Sequence, residues 1–175
     1  IDKSWNGKEI SYYTFPPFGE FAKDVFGNTG EMITFFSNIL QTPYPWDKYS
    51  QVVSYDYTAG AMENTTASIF YDPLFADRKN LKDQNFDYII AHELFHQWFG
   101  DLVTAESWAN LTLNESFANY GEYLWNVYKY GQIEADYYGQ KDLIAYLKES
   151  LSKKEPIVNF YFENFDDIFD RHRYE

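Results

Sequence analysis

The pentapeptide His92-Glu93-Leu94-Phe95-His96 limits this chain more than any other stretch of it. On a helix, side chains four residues apart point the same way, so His92 and His96 present two imidazoles to one ion. Glu93 stands beside the first imidazole, turned so that its carboxylate reaches a water held at that ion. Two of the three histidines in the chain fall within these five residues. A helix that merely carried two histidines would leave them solvated or satisfied in a core. Here Ile89, Ile90, Leu94, Phe95 and Trp98 surround them, which predicts a buried helix. Two buried imidazoles and a carboxylate without partners are costly, and a metal ion removes that cost.

The chain has no cysteine, so a metal must be held by histidine and carboxylate side chains. No histidine occurs between Gln97 and Arg171, which makes the third protein ligand a carboxylate. Asp101 and Glu106 lie too near the end of the helix to fold back over the ion. Glu115 and Glu122 sit on the next predicted helix, after a connection long enough to reverse the chain. They are seven residues apart and share a face, so geometry alone leaves both open.

At 175 residues the chain has the length of one ordinary domain. Its 17 Tyr and 16 Phe supply large, half-polar surface for a core and for a cleft. A net charge of −13, from 27 acidic residues against 14 basic ones, argues against a nucleic-acid partner. It suits a positively charged partner or, more simply, a solvated acidic surface. No run of 18 apolar residues is present, and the first residues lack the pattern of a signal peptide, so no membrane segment is expected in this chain. The compartment stays open.

Residues Tyr12 to Phe18, with Pro16-Pro17, read as extended chain. From Thr29, as N-cap, Met32, Phe35, Phe36, Ile39 and Leu40 mark one apolar helix face that stops before Pro43. Tyr49 to Tyr57 and Ala67 to Tyr71 read as strands. Phe86 to Phe99 predicts a helix closed by Gly100. Asn114 to Tyr130 predicts a second, with Phe117, Tyr120, Leu124 and Val127 on one side and Gly131 at its end. A third covers roughly Glu134 to Leu151, supported by Ile144, Leu147 and Leu151. Strands come first and helices after, which predicts an α+β unit in which a mixed sheet feeds a helical lobe.

The spacing H-E-x-x-H, then 18 residues, then Glu is that of the gluzincins. The run His92-Glu93-Leu94-Phe95-His96-Gln97-Trp98-Phe99-Gly100-Asp101-Leu102-Val103-Thr104 resembles the aminopeptidase N family of zinc metallopeptidases, as does Leu113-Asn114-Glu115-Ser116-Phe117-Ala118. The resemblance implies one zinc ion on His92, His96 and Glu115, with Glu93 as general base and Glu122 in a supporting role. It departs at Ser107, Thr112 and Ser116, where the family usually has Trp, Trp and Gly; these positions flank the ligand helix and bear on local packing. Upstream, Gly60-Ala61-Met62-Glu63-Asn64 is by itself an ordinary turn sequence. In the family this motif lines the substrate groove on a strand edge, which implies that Glu63 binds the free α-amino group of a peptide while the nearby backbone pairs with it. A carboxylate at a dead end selects an ammonium. Tyr174-Glu175 is similar to the start of the family's segment whose Tyr donates a hydrogen bond to the developing oxyanion. His172, close by, reads as solvated.

The resemblance implies a thermolysin-like catalytic domain: residues 1–175 as a single catalytic segment, strand-rich over 1–72 and helical over 81–152, excised from a larger multidomain enzyme. The expected substrates are peptides with a free N-terminus. Two alternatives stand beside this reading. One is an epoxide hydrolase of the related leukotriene hydrolase branch, which a lipid epoxide assayed beside an aminoacyl arylamide separates. The other is a zinc-binding segment inactive without missing domains, which zinc binding without cleavage would support. A thermolysin-type endopeptidase is disfavoured by the Glu63 motif, and N-blocked peptides test it.

Overall fold

The computed structural model describes residues 2–174. Five strands form one mixed sheet in the order β1-β2-β3-β5-β4. Strands β1 (Asp2–Trp5) and β2 (Lys8–Tyr13) make an antiparallel hairpin. Strand β3 (Lys48–Val53) runs parallel to β2 and to β5 (Ala67–Phe70), and β4 (Ala61–Met62) closes the far edge antiparallel to β5. Parallel pairing of β2 with β3 requires a crossover. Helices α1 (Ala22–Phe26) and α2 (Thr29–Ile39) provide it.

The helical part then follows: a short α3 (Asn80–Asp83), α4 (Asp87–Phe95), α5 (Thr112–Tyr130), α6 (Gln132–Glu149) and a final turn α7 (Arg171–Tyr174). Among the described residues no helix is long and apolar enough to cross a membrane. The expected α+β architecture, a small mixed sheet and then a helical lobe, is what the chain forms.

Aromatic contacts join the two parts. Tyr12 of β2 stacks on Phe26, and Phe26 meets Phe70 of β5 at 5.8 Å between ring centroids. Phe36 of α2 packs edge-on against Phe95 of α4 at 4.9 Å. Asp87, buried in the first turn of α4, accepts hydrogen bonds from Asn28 Nδ2 (2.9 Å), Trp125 Nε1 (2.9 Å) and the Tyr130 hydroxyl (2.6 Å). One carboxylate therefore ties α4 to α5 and to the start of α2. Its negative charge also lies at the helix end that favours it.

Several local expectations are corrected. Pro16–Phe18 forms a 3-10 turn, not extended chain. Thr29 is the first residue of α2 and does not cap it; its hydroxyl donates to Gln51 Oε1 at 2.7 Å, a buried bond to β3. The strand expected to reach Tyr57 ends at Val53, ahead of a left-handed Asp56. The buried stripe of α5 is Glu115, Ala118, Gly121 and Trp125, while Phe117 and Tyr120 face outward. Close helix approach needs small residues at the contact, so Ala118 and Gly121 turn inward and Phe117 and Tyr120 take the other side. Ile144, Leu147 and Leu151 are likewise exposed, and Ala135 is the buried residue of α6.

Candidate metal centre

Helix α4 ends at Phe95, earlier than expected, yet the His96 amide still donates to the His92 carbonyl at 3.2 Å. The four-residue relation of the two histidines therefore survives. Their rings lie 4.8 Å apart, centroid to centroid. Beyond His96 the chain turns tightly at Gly100, whose φ of +138° only glycine adopts readily, and whose missing Cβ would stand 3.2 Å from His96 Nδ1.

Helix α5 brings Glu115 against both histidines. Its Oε2 lies 3.3 Å from His92 Nε2 and 3.6 Å from His96 Nε2. A tetrahedral ion with bonds of about 2.0–2.1 Å holds its ligand atoms about 3.3–3.4 Å apart. The three donor atoms all lie within 4.8 Å of one another, so the set fits one small divalent ion. The remaining ring nitrogens are engaged elsewhere: His92 Nδ1 meets Glu122 Oε1 at 2.7 Å, and His96 Nδ1 meets the Phe99 carbonyl at 2.9 Å. A carbonyl only accepts, so His96 carries its proton on Nδ1 and turns the Nε2 lone pair to the site. Of the two carboxylates left open by spacing, Glu115 faces the Nε2 atoms and Glu122 supports the back of His92.

The charges follow from this crowding. Burial alone would raise the Glu115 pKa, but hydrogen bonds and charge from His92 and His96 bring it down to about 2. Burial opposes charge on the histidines too, yet Glu115 and Glu122 hold His92 well above the ordinary value, and Glu115 raises His96. A site that so favours a proton on these nitrogens favours any cation there, and proton and metal compete for them. Glu93 is buried with its Oε2 unpartnered. Burial lifts its pKa to about 7; the two histidines pull it down, and Glu63 and Glu115 push it up. An orphan carboxylate oxygen beside three converging donors is what a bound ion and its water would satisfy.

The other expected residues gather around this centre. Gly60 adopts a left-handed φ of +69°, Ala61–Met62 is the edge strand β4, and Glu63 and Asn64 follow it. The Glu63 carboxylate is near enough to push up the pKa of Glu93, His96, Asp101 and Tyr174. The Tyr174 pKa is raised by burial and then by the nearby charge of Glu115. Glu175 lies outside the described residues. Ser116 Oγ donates to the Arg173 carbonyl and Asn119 Nδ2 to the Tyr174 carbonyl, so α5 holds the turn that carries Tyr174. Thr112 Oγ1 donates to the Ile157 carbonyl. Two of the three departures from the family pattern thus bind α5 to the following segment. His172 is not solvated; its side chain is 7% exposed, packed by Tyr146 and Glu149. A cavity of about 630 Å³ opens beside the centre, lined by Tyr88, Glu122, Tyr138, Asp142 and Tyr174 among others. Sequence reasoning missed Gln97, whose buried carboxamide bonds the Glu63 loop; its only signal is its place next to His96.

Two imidazoles and a carboxylate converge from consecutive helices beside a buried glutamate with a free oxygen, a donor set that could hold one divalent ion. Residues 25–175 match the peptidase family M1 domain, and the chain belongs to that family. It is 45% identical over 112 residues to aminopeptidase N of Homo sapiens, covering 61% of this chain and 11% of that protein. It is 46% identical over 99 residues to aminopeptidase N of Lactobacillus delbrueckii subsp. lactis, covering 53% of this chain and 11% of that one. The chain thus spans about a tenth of the length of these relatives. A solved variant of an M1 zinc metallopeptidase from Deinococcus radiodurans shares the fold, with a TM-score of 0.64 at 23% identity, over 99% of this chain and 36% of that one.

Proposed function

We propose that this chain carries the catalytic centre of a zinc-dependent aminopeptidase, which removes the first residue from peptides with a free N-terminus. The observation that carries the reading is the convergence of His92 Nε2, His96 Nε2 and Glu115 Oε2 within 4.8 Å of one another, with the orphan oxygen of Glu93 beside them. Support comes from the relatives, which are aminopeptidases, and from the protein that shares the fold, which is a zinc metallopeptidase. When bound, zinc polarises the scissile carbonyl and lowers the pKa of a water beside it.

Glu93, with a pKa of about 7, accepts the proton of the attacking water and passes it to the departing amine. Glu115 is too acidic for that task and stays an anion. The Tyr174 phenol remains protonated at neutral pH and donates a hydrogen bond to the carbonyl oxygen as it gains negative charge. Glu63 binds the α-ammonium group of the substrate, and the outer edge of β4 pairs with its backbone. Fixing the amine at one end places the first peptide bond at the metal, which is the geometry of an exopeptidase.

The test is Glu93→Gln. The variant should bind one equivalent of zinc, as measured by metal analysis, and lose turnover of an aminoacyl arylamide. The parent should leave the N-acetylated substrate intact. Full activity in the variant, or equal cleavage of the blocked substrate, would overturn the reading.

A further inference from the structure

Gln97 follows the second histidine of the centre, and its side chain is wholly buried. Its carboxamide is used at both ends. Nε2 donates to the Glu63 carbonyl at 2.9 Å, and Oε1 accepts from the Thr66 amide at 2.9 Å and from the Tyr44 hydroxyl at 3.4 Å. The same loop meets this turn a second time, where Thr65 lies close enough to the Asp101 carboxylate to offset part of the rise that burial gives its pKa. Both Gln97 and Asp101 belong to the turn that follows α4.

The loop needs such support because the sheet gives it little. Strand β4 is two residues long and pairs on one side only. Beyond it the chain doubles back, with the Ala67 amide on the Asn64 carbonyl at 2.7 Å. Thr66 sits at a φ of +67°, a conformation that β-branched residues rarely adopt. The Thr66 carbonyl reaches β3 through the Ser50 amide, but Glu63 lies at the other end of the turn. What ties the Glu63 end of the loop to α4 is Gln97.

We propose that Gln97 is a positioning residue that sets the place of Glu63 relative to the metal ligands. The inference rests on the reading of Glu63 as the amine anchor. Gln97 is the residue next to His96, so the lever between metal site and anchor is short and stiff. The loss of this tether falls on recognition of the free amine and leaves zinc and proton transfer in place. A neutral hydrogen bond of this kind contributes about tenfold when it holds a reacting partner in place.

Two variants test it in the intact protein. Gln97→Met keeps length and volume and loses both bonds. Gln97→Glu keeps the acceptor for Thr66 and loses the donor to Glu63. Hydrogen exchange of the Thr66 amide should speed up by about tenfold or more in Gln97→Met and stay near the parent rate in Gln97→Glu. In both variants KM for an aminoacyl arylamide should rise by about tenfold, with kcat changed by less than about threefold and zinc content unaltered. An unchanged KM in both variants, or a fall in kcat that tracks lost zinc, overturns the proposal. Should Gln97→Met fail to fold, Gln97→Glu decides the matter by its KM. If the parent protein itself shows no preference for a free amine, the aminopeptidase reading fails. The tether is then judged by the exchange of Thr66 alone, and unchanged exchange in Gln97→Met rejects it.

Discussion

Gly121 of α5 packs directly against Phe95 of α4, and replacing it with alanine tests how tightly the three converging side chains are held. A Cβ there would stand 2.6 Å from Cγ of Phe95, 2.8 Å from Cδ2 and 2.9 Å from Cβ. Carbon atoms in contact prefer about 3.5–4.0 Å, so roughly 1 Å of clearance is missing. Phe95 has nowhere to go. It is stacked on Phe99 at 5.3 Å and held edge-on by Phe36 at 4.9 Å. The helices must therefore part, at about 1–3 kcal/mol for overpacking. The gain in helix propensity offsets about 1 kcal/mol of this. A net loss of up to about 2 kcal/mol is expected in urea unfolding followed by circular dichroism with a chelator present. Because Glu115 rides on α5 and both histidines on α4 or its cap, a shift near 1 Å also spoils the spacing of 3.3 and 3.6 Å. Zinc affinity, read by competition with a chromophoric chelator, should fall by about tenfold or more. Gly139→Ala is the control. Its Cβ would meet Tyr123 at 3.8 Å, an ordinary contact, so the same change in α6 should stabilise by up to about 1 kcal/mol. A Gly121→Ala protein as stable as the parent, with unchanged zinc affinity, would refute the reasoning.

Zinc at a hundred times its dissociation constant should stabilise the protein by about 2.7 kcal/mol, seen as a higher unfolding midpoint than in chelator. Glu115→Ala should abolish that shift and Glu122→Gln only reduce it; the reverse order would exchange their roles. Glu63→Ala should raise KM for aminoacyl arylamides by about tenfold or more while the protein keeps its zinc, because the ammonium loses a charge-assisted partner. An unchanged KM would remove Glu63 as the anchor.

The order of elements and the location of the centre were legible along the chain because both are local. Apolar periodicity marked α2, α4 and α5, and Gly131 marked the end of α5, whereas α4 stopped at Phe95, short of Gly100. Histidines four apart on a helix must share a face wherever the helix lies. The ranking of Glu115 over Glu122 was not local. They are seven apart on one face, and only the seating of α5 decides that one meets the Nε2 atoms and the other Nδ1 of His92. The inward face of α5 was misread for the same reason. Hydrophobicity pointed to Phe117 and Tyr120, but the close approach of α4 selected Ala118 and Gly121.

By itself, then, the sequence determined an α+β unit with two histidines and a glutamate on one buried helix, and a carboxylate as third partner. Tertiary structure decided which carboxylate faces the two Nε2 atoms and where Glu63 and Tyr174 stand around them. It also turned Gln97 from an unremarked neighbour of His96 into the link between α4 and the Glu63 loop. The division has a physical cause. A helical repeat encodes direction within one element, whereas a site is made of distances between elements, and those are set by which side chains let two backbones approach.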